Sequence, residues 1–350
     1  MRLTAFFHPL ARIATVTMLA ALTLAGCGST NPARPDAGTQ PALSSSAPPV
    51  RIGIALGGGA AKGFAHIGVI KMLEANGFAP AVVSGTSAGS VVGALYASGM
   101  NAFDMQEKAV ALDEAKIRDL QLSSGGLVLG QKLEDYVNEQ VRRKPLEQMA
   151  KPFVVVATRL EDGERTVFAR GNTGQAVRAS SSVPGVFQPV TIGKYHFVDG
   201  GIVSPVPVDA ARQLGADIVI AVDISNKARG QTPGDMLGTL GQSIAIMGQK
   251  LGQAELARAD VIIRPQVLDI GSADFSQRAN AILEGEKAAL AVMPQIRERV
   301  AQLQAERANA ARAAQQKAAE AQYQTCLEKR SSLQKLAGMA RLDDSCTAPK

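Results

Sequence analysis

The sequence predicts an α/β protein: a three-layer α/β/α arrangement around a mostly parallel central sheet, with a helical extension at the C-terminus. Three observations carry this reading. The strand-like runs, such as Val50–Leu56, are continuously apolar rather than alternating, as strands covered on both faces are. These runs alternate with helix-like segments, the pattern of parallel strands joined by crossover helices. The 350 residues include 34 glycines, 46% apolar and 19% charged residues, the composition of a globular protein with a sizeable core.

Taken in order, strands are expected at 50–56, 81–84, 153–157, 217–222 and 261–263. Helices are expected at about 63–76, 87–99, 131–142, 206–214 and 238–257. Ahead of the first strand, residues 28–49 are rich in Pro, Ser, Ala and Thr. They lack the large apolar groups a core needs and read as a flexible tether. After about residue 295 the composition turns to Ala, Gln, Glu, Arg and Lys, all good helix formers. The apolar stripe over 300–322 is thin, so a solvated or packed-back helix is expected there. The domain plan is therefore a signal at 1–26, a tether at 27–49, a core domain at 50–295 and a helical extension at 296–350.

The net charge is +6, with basic and acidic residues interspersed, as on a solvated mixed surface. Aromatics are only 4% of the chain and Trp is absent, which argues against the stacking platforms of a nucleic-acid binder. At the N-terminus, Arg2 and Arg12 precede an uncharged run, Ile13–Ala25, of signal-peptide length and too short to span a bilayer well. It ends in Leu24-Ala25-Gly26-Cys27, which resembles the lipobox of bacterial lipoproteins. That resemblance implies cleavage before Cys27, a diacylglyceryl group on its sulfur, and anchoring in the bacterial envelope. Ser29, with no Asp beside Cys27, points to the periplasmic face of the outer membrane. Cys326 and Cys346 remain, and an oxidising compartment lets them pair. The bridge would close a loop of about 20 residues, contributing roughly 3 kcal/mol in the chain-entropy model. Two cysteines without a nearby His do not make a metal site.

Three elements carry chemistry. Gly85-Thr86-Ser87-Ala88-Gly89 is a G-x-S-x-G placed between a strand and a helix. A nucleophilic serine there sits on a sharp turn that small flanking residues (Gly85 and Gly89) permit, at a helix N-terminus that favours developing negative charge. Gly57-Gly58-Gly59-Ala60-Ala61-Lys62-Gly63 joins the first strand to the first helix. Its spacing fails both nucleotide-binding patterns: no Ser or Thr follows a Gly-Lys pair, and Lys62 stands where a dinucleotide loop has its last glycine. An oxyanion hole built from the N–H groups of Gly57, Gly58 and Gly59 fits better. The base is the third element. His8 lies in the signal, His66 in the first helix, and no His follows His196. A Ser-His-Asp triad in α/β-hydrolase order needs a late His, so that fold is disfavoured. Asp199 remains, ending an apolar strand and followed by Gly200 and Gly201, which allow a close approach. A direct Ser–Asp hydrogen bond in a dry site lets a weak base act.

These elements, in this order, resemble the patatin-like phospholipase family: the Gly-rich loop with a basic residue (Lys62), the elbow at Ser87, and the D-G-G at Asp199. The stretch Ala179–Val190 is also similar to the one preceding the family's acid. The resemblance spans roughly 50–290. It implies a Ser–Asp dyad that hydrolyses lipid acyl esters, a phospholipid or lysophospholipid among them, with no metal, cofactor or nucleotide. Lys62 would orient the loop, meet a lipid phosphate or lie on the surface. The segment at about 101–150 would shape the acyl pocket. Two other readings remain open: a non-catalytic envelope lipoprotein docking a protein partner through its C-terminal helix, and an acyltransferase on the same dyad.

Overall fold

The computed structural model describes residues 48–114, 128–225, 227, 234–337, 346 and 348. Cys27, the signal and most of the tether lie outside them, as do residues 115–127 of the expected pocket segment. The strands are β1 (Ile52–Leu56), β2 (Val82–Thr86), β3 (Phe153–Arg159), β4 (Arg165–Phe168), β5 (Val190–Ile192), β6 (Tyr195–Asp199), β7 (Ile218–Val222) and β8 (Val261–Ile263). The helices are α1 (Ala65–Ala75), α2 (Ala88–Ala97), α3 (Ala102–Val110), α4 (Gln131–Gln140), α5 (Thr173–Ser180), α6 (Val208–Gln213), α7 (Met236–Leu256) and α8 (Arg278–Ala337).

The sheet is mixed. β3, β2, β1, β7 and β8 run parallel, and β4, β5 and β6 add antiparallel pairs at the β3 end. One detail positions the site. Val155 and Val156 pair with β2 on one edge of β3 and with β4 on the other, while Ala157 and Thr158 pair with β4 and with β6. Since β4 holds one edge throughout, β2 and β6 share the opposite edge, end to end. β2 stops at Thr86, opposite Val156, and β6 ends with Asp199, opposite the very next residue, Ala157.

Alternation along the strands gives each face its own core. Ile52, Ile54 and Leu56 of β1 point toward α1, α2 and α8, packing with Ile67, Ile70, Leu73, Val92 and Ile282. Ala55 points the other way, with Val208 and Ala211 of α6 and Leu256 of α7. The three layers follow. On the first face α8 crosses α1 at backbone contact: a Cβ on Gly68 would fall 2.0 Å from Ile282 O, and one on Gly285 2.0 Å from Ala65 O. Lys71 and Glu286 pair across that crossing at 2.8 Å.

The expected boundary near 295 falls inside α8, beside Pro294, so the core and the extension share one helix. Ala281, Ile282, Ala289, Met293 and Ile296 of that helix are buried, whereas most described side chains beyond 300 are exposed. Cys326 and Cys346 are joined by a disulfide, with Cα atoms 5.9 Å apart. The strands β4 and β5 and the helices α3 and α5 lay outside the sequence expectation. No described helix is long and apolar enough to cross a membrane.

Candidate active site

The site forms where β2 and β6 meet. Ser87 follows β2 and caps the start of α2, with φ of 52°, a left-handed value that side chains rarely adopt. The turn is tight because its neighbours are small. A Cβ on Gly89 would lie 2.1 Å from Leu56 O, and one on Gly85 2.6 Å from Gly89 O. Across the junction, Asp199 ends β6, and a Cβ on Gly200 would fall 2.2 Å from Val156 O, so only glycine lets the acid strand close against β3.

The two side chains touch. Ser87 Oγ donates to Asp199 Oδ2 at 2.6 Å, and Gly201 N–H donates to Asp199 Oδ1 at 2.7 Å. Both residues are buried, Ser87 at 8% exposure and Asp199 at 7%. Burial raises the Asp199 carboxyl to about 6, against the opposing pull of the bonds from Ser87 and Gly201. An aspartate so placed is a stronger base than one in water, and still ionised at neutral pH. His196, three residues earlier, is exposed and pairs with Glu161 at 2.8 Å, away from this pair.

Two positioning contacts escaped sequence reading. Ser180, the last residue of α5, accepts the Ser87 N–H at 2.8 Å and donates to Val156 O at 2.5 Å. It thereby ties the strained turn to β3. Asp199 is held through its backbone: Thr158 Oγ1 donates to Asp199 O at 2.8 Å, and Asp199 N–H donates to Ser182 O at 2.9 Å. The serine cluster 180–182 was visible as a family-like stretch, but nothing in its composition assigned one hydroxyl to the Ser87 amide.

The Gly-rich loop lies against Ser87 but departs from expectation. A Cβ on Gly58 would sit 3.2 Å from Ser87 Cβ, so this loop does face the serine. Yet Gly57 N–H donates to Val222 O at 3.1 Å and Gly58 N–H to Pro205 O at 3.0 Å. Both donors are engaged in holding the loop, which removes Gly57 and Gly58 as oxyanion donors. Among the described residues, Gly59 and Ala60 are the members of 57–62 whose N–H groups have no acceptor. Lys62 is not on the surface: it is 1% exposed. His66 is also buried, and its Nε2–H donates to Gly57 O at 2.8 Å, a carbonyl being able only to accept. Burial lowers its pKa to about 4, so it is neutral and structural here.

Behind the site, the chain 204–207 collects bonds from every side. Thr86 Oγ1 donates to Ser204 O at 2.8 Å, Gly58 N–H to Pro205 O, and Ser84 Oγ to Pro207 O at 2.8 Å. Glu255 of α7 accepts from Ser204 Oγ and, at 2.8 Å, from Val206 N–H. Burial raises this carboxyl to about 7. Among the described residues no group of three or more His, Cys, Asp or Glu side chains comes together as metal ligands would.

Comparison with known proteins places these features in context. A family model described as patatin-like phospholipase matches residues 54–212. An uncharacterized NTE family protein of Mycobacterium tuberculosis is 35% identical over 182 residues, covering 51% of each chain. The patatin-like phospholipase domain-containing protein 6 of Homo sapiens is 32% identical over 184 residues, 50% of this chain and 13% of that protein. Lysophospholipase NTE1 of Pyricularia oryzae is 30% identical over 181 residues, 50% of this chain and 12% of that one. The chain thus spans about half the length of the mycobacterial relative and a far smaller share of the other two. Among solved structures, VipD of Legionella pneumophila aligns with a TM-score of 0.45 at 17% identity, over 71% of this chain and 67% of that chain.

Proposed function

We propose, on the premise that residues 54–212 are a patatin-like phospholipase domain, that this protein is a serine acyl-hydrolase acting on lipid acyl esters of the phospholipid or lysophospholipid class. The observation that carries the reading is the 2.6 Å bond from Ser87 Oγ to Asp199 Oδ2 in a buried pair. Ser87 Oγ attacks the ester carbonyl carbon while its proton passes to Asp199. The carbonyl oxygen becomes an oxyanion facing the N–H groups of Gly59 and Ala60. Collapse of the tetrahedral intermediate breaks the ester C–O bond, and Asp199 returns the proton to the leaving alcohol. Water then attacks the acyl-enzyme, giving up its proton to Asp199. The fatty acid leaves and Ser87 is reprotonated. We read residues 1–26 as a signal removed before Cys27, and the mature protein as lipid-anchored through Cys27 at the periplasmic face of the outer membrane.

Release of p-nitrophenol from acyl esters of graded chain length tests the chemistry. Ser87→Ala and Asp199→Asn are each expected to lose on the order of 10³-fold or more in kcat, with circular dichroism showing both folded. Wild-type turnover in folded Ser87→Ala would sink the reading.

A further inference from the structure

α7 has two faces, and the chemistry uses neither. On the inner side, the helix lies in ordinary contact range of the chain just past Asp199: a Cβ on Gly248 would lie 3.7 Å from Gly201 O, and one on Gly252 3.4 Å from Pro205 Cγ. Glu255 continues that side into the 204–206 chain. On the outer side, Met236, Leu240, Met247 and Leu251 are 84%, 41%, 54% and 38% exposed. At about 100° per residue these four positions fall within a sector of about 60°, beside the sector of 248, 252 and 255 and separated from it by about 40°. They make one stripe. From Met236 to Gln249 the helix carries no charged residue, and its one exposed charge is Lys250 at the stripe's margin.

A surface helix in water carries charge on such a face, and an uncharged apolar stripe marks a surface that meets something apolar. The charge pattern selects the occupant. A lone cation beside an apolar stripe matches a layer of acyl chains topped by phosphate headgroups. The inner contact with Gly201 adds to this, because it keeps the stripe's helix beside the chain that carries Asp199. We propose that α7 is an interfacial helix that seats the protein on a phospholipid bilayer through Met236, Leu240, Met247 and Leu251, with Lys250 at headgroup level. The proposal rests on the reading of the site as a lipid acyl-hydrolase and names the surface on which it works.

The test uses the full chain carrying Cys27→Ser, so that no lipid anchor contributes. Its vesicles contain phosphatidylcholine and phosphatidylglycerol in equal parts. Sedimentation binding, hydrolysis of vesicle phospholipid and hydrolysis of p-nitrophenyl butyrate in solution are measured together. Leu240→Asp with Met247→Asp is expected to weaken vesicle binding at least about tenfold and to lower vesicle hydrolysis with it, leaving the soluble ester unchanged. Phe103→Asp, at a 65% exposed position on α3, is expected to bind like wild type. Equal vesicle binding by wild type and the double variant overturns the proposal, as does equal loss in Phe103→Asp. A dimer that the double variant converts to monomer with vesicle binding intact also overturns it, making the stripe a contact between copies. If wild type binds vesicles and the double variant does not, while neither ester is ever hydrolysed, the interfacial helix stands and the hydrolase reading falls.

Discussion

Ser87 keeps its hydroxyl on Asp199 in a backbone conformation that it would not choose, and Ser180 is what holds it there. Ser180→Ala leaves the Ser87 N–H without its acceptor, and an unsatisfied buried donor costs about 1–3 kcal/mol. We expect kcat to fall roughly tenfold or more with KM little changed, since Ser180 bonds to the nucleophile's amide rather than to substrate. Steady-state kinetics on a soluble ester checks this, and an equal change in both constants would count against a positioning role. In the proposed mechanism Asp199 sets the pH dependence. Its carboxyl is raised from 3.8 to about 6, so it accepts the Ser87 proton only above that value. Activity should therefore drop about tenfold per pH unit below 6. The same shift has a stability side. A raised carboxyl pKa means that the folded state binds the proton more tightly than the unfolded state. Stability is then full below about 3.8 and is lost as pH rises through 6. Asp199→Asn removes that loss, so the inactive variant should melt higher than wild type at pH 8, by about 1–3 kcal/mol, with the gap closing near pH 4. Thermal melts across that range would show it.

At the scale of elements, the β3 edge and the α1–α8 crossing do most of the positioning. The crossing tolerates no side chain at Gly68, where a Cβ would strike the Ile282 carbonyl. Gly68→Ala should destabilise by about 1–3 kcal/mol, as overpacking of rigid backbone does, and denaturant titration measures it directly. This also marks what a sequence can and cannot reveal. β1, β2, β3, β7 and β8 were legible because each is an apolar run, and the Ser87 and Asp199 motifs because glycines bracket the first and follow the second. β4 (Arg165–Phe168) is only partly buried, and β5 (Val190–Ile192) is three residues long, so neither has a run to read. α3 exposes Phe103 and Val110 while burying Met105 and Ala109, so its nine residues show no clean apolar stripe. The boundary at 295 falls inside α8 because composition follows solvent exposure: the helix runs out of the core past Ile296 and Val300 without ending. The oxyanion assignment of Gly57 and Gly58 failed for a different reason. Glycine spacing shows that backbone can approach, but not which N–H groups the neighbouring carbonyls of Val222 and Pro205 have already taken.

For the whole molecule, three buried groups set how stability responds to pH. Asp199 and Glu255 are raised, to about 6 and about 7, so each contributes stability below its unfolded value that is lost as pH rises. His66 is lowered to about 4 and works oppositely, adding stability as pH rises from 4 to its unfolded 6.5. Two carboxylates outweigh one imidazole: between pH 5 and 8 Asp199 and Glu255 lose stability over about one and about two pH units, against about one and a half gained by His66. The protein should be more stable near pH 5 than near pH 8, by about 1–2 kcal/mol, which chemical denaturation at the two values tests. The end-to-end meeting of β2 and β6 on β3 bears finally on how the chain folds. The two halves of the dyad are 112 residues apart and share no local contact. They come together only when β3 has paired with both strands along one edge. That is a closure of high contact order, which is slow compared with helix formation. During refolding, the helical signal of α1, α7 and α8 should return first and esterase activity last. Enzyme activity thus serves as a clock for the last long-range pairing in the sheet.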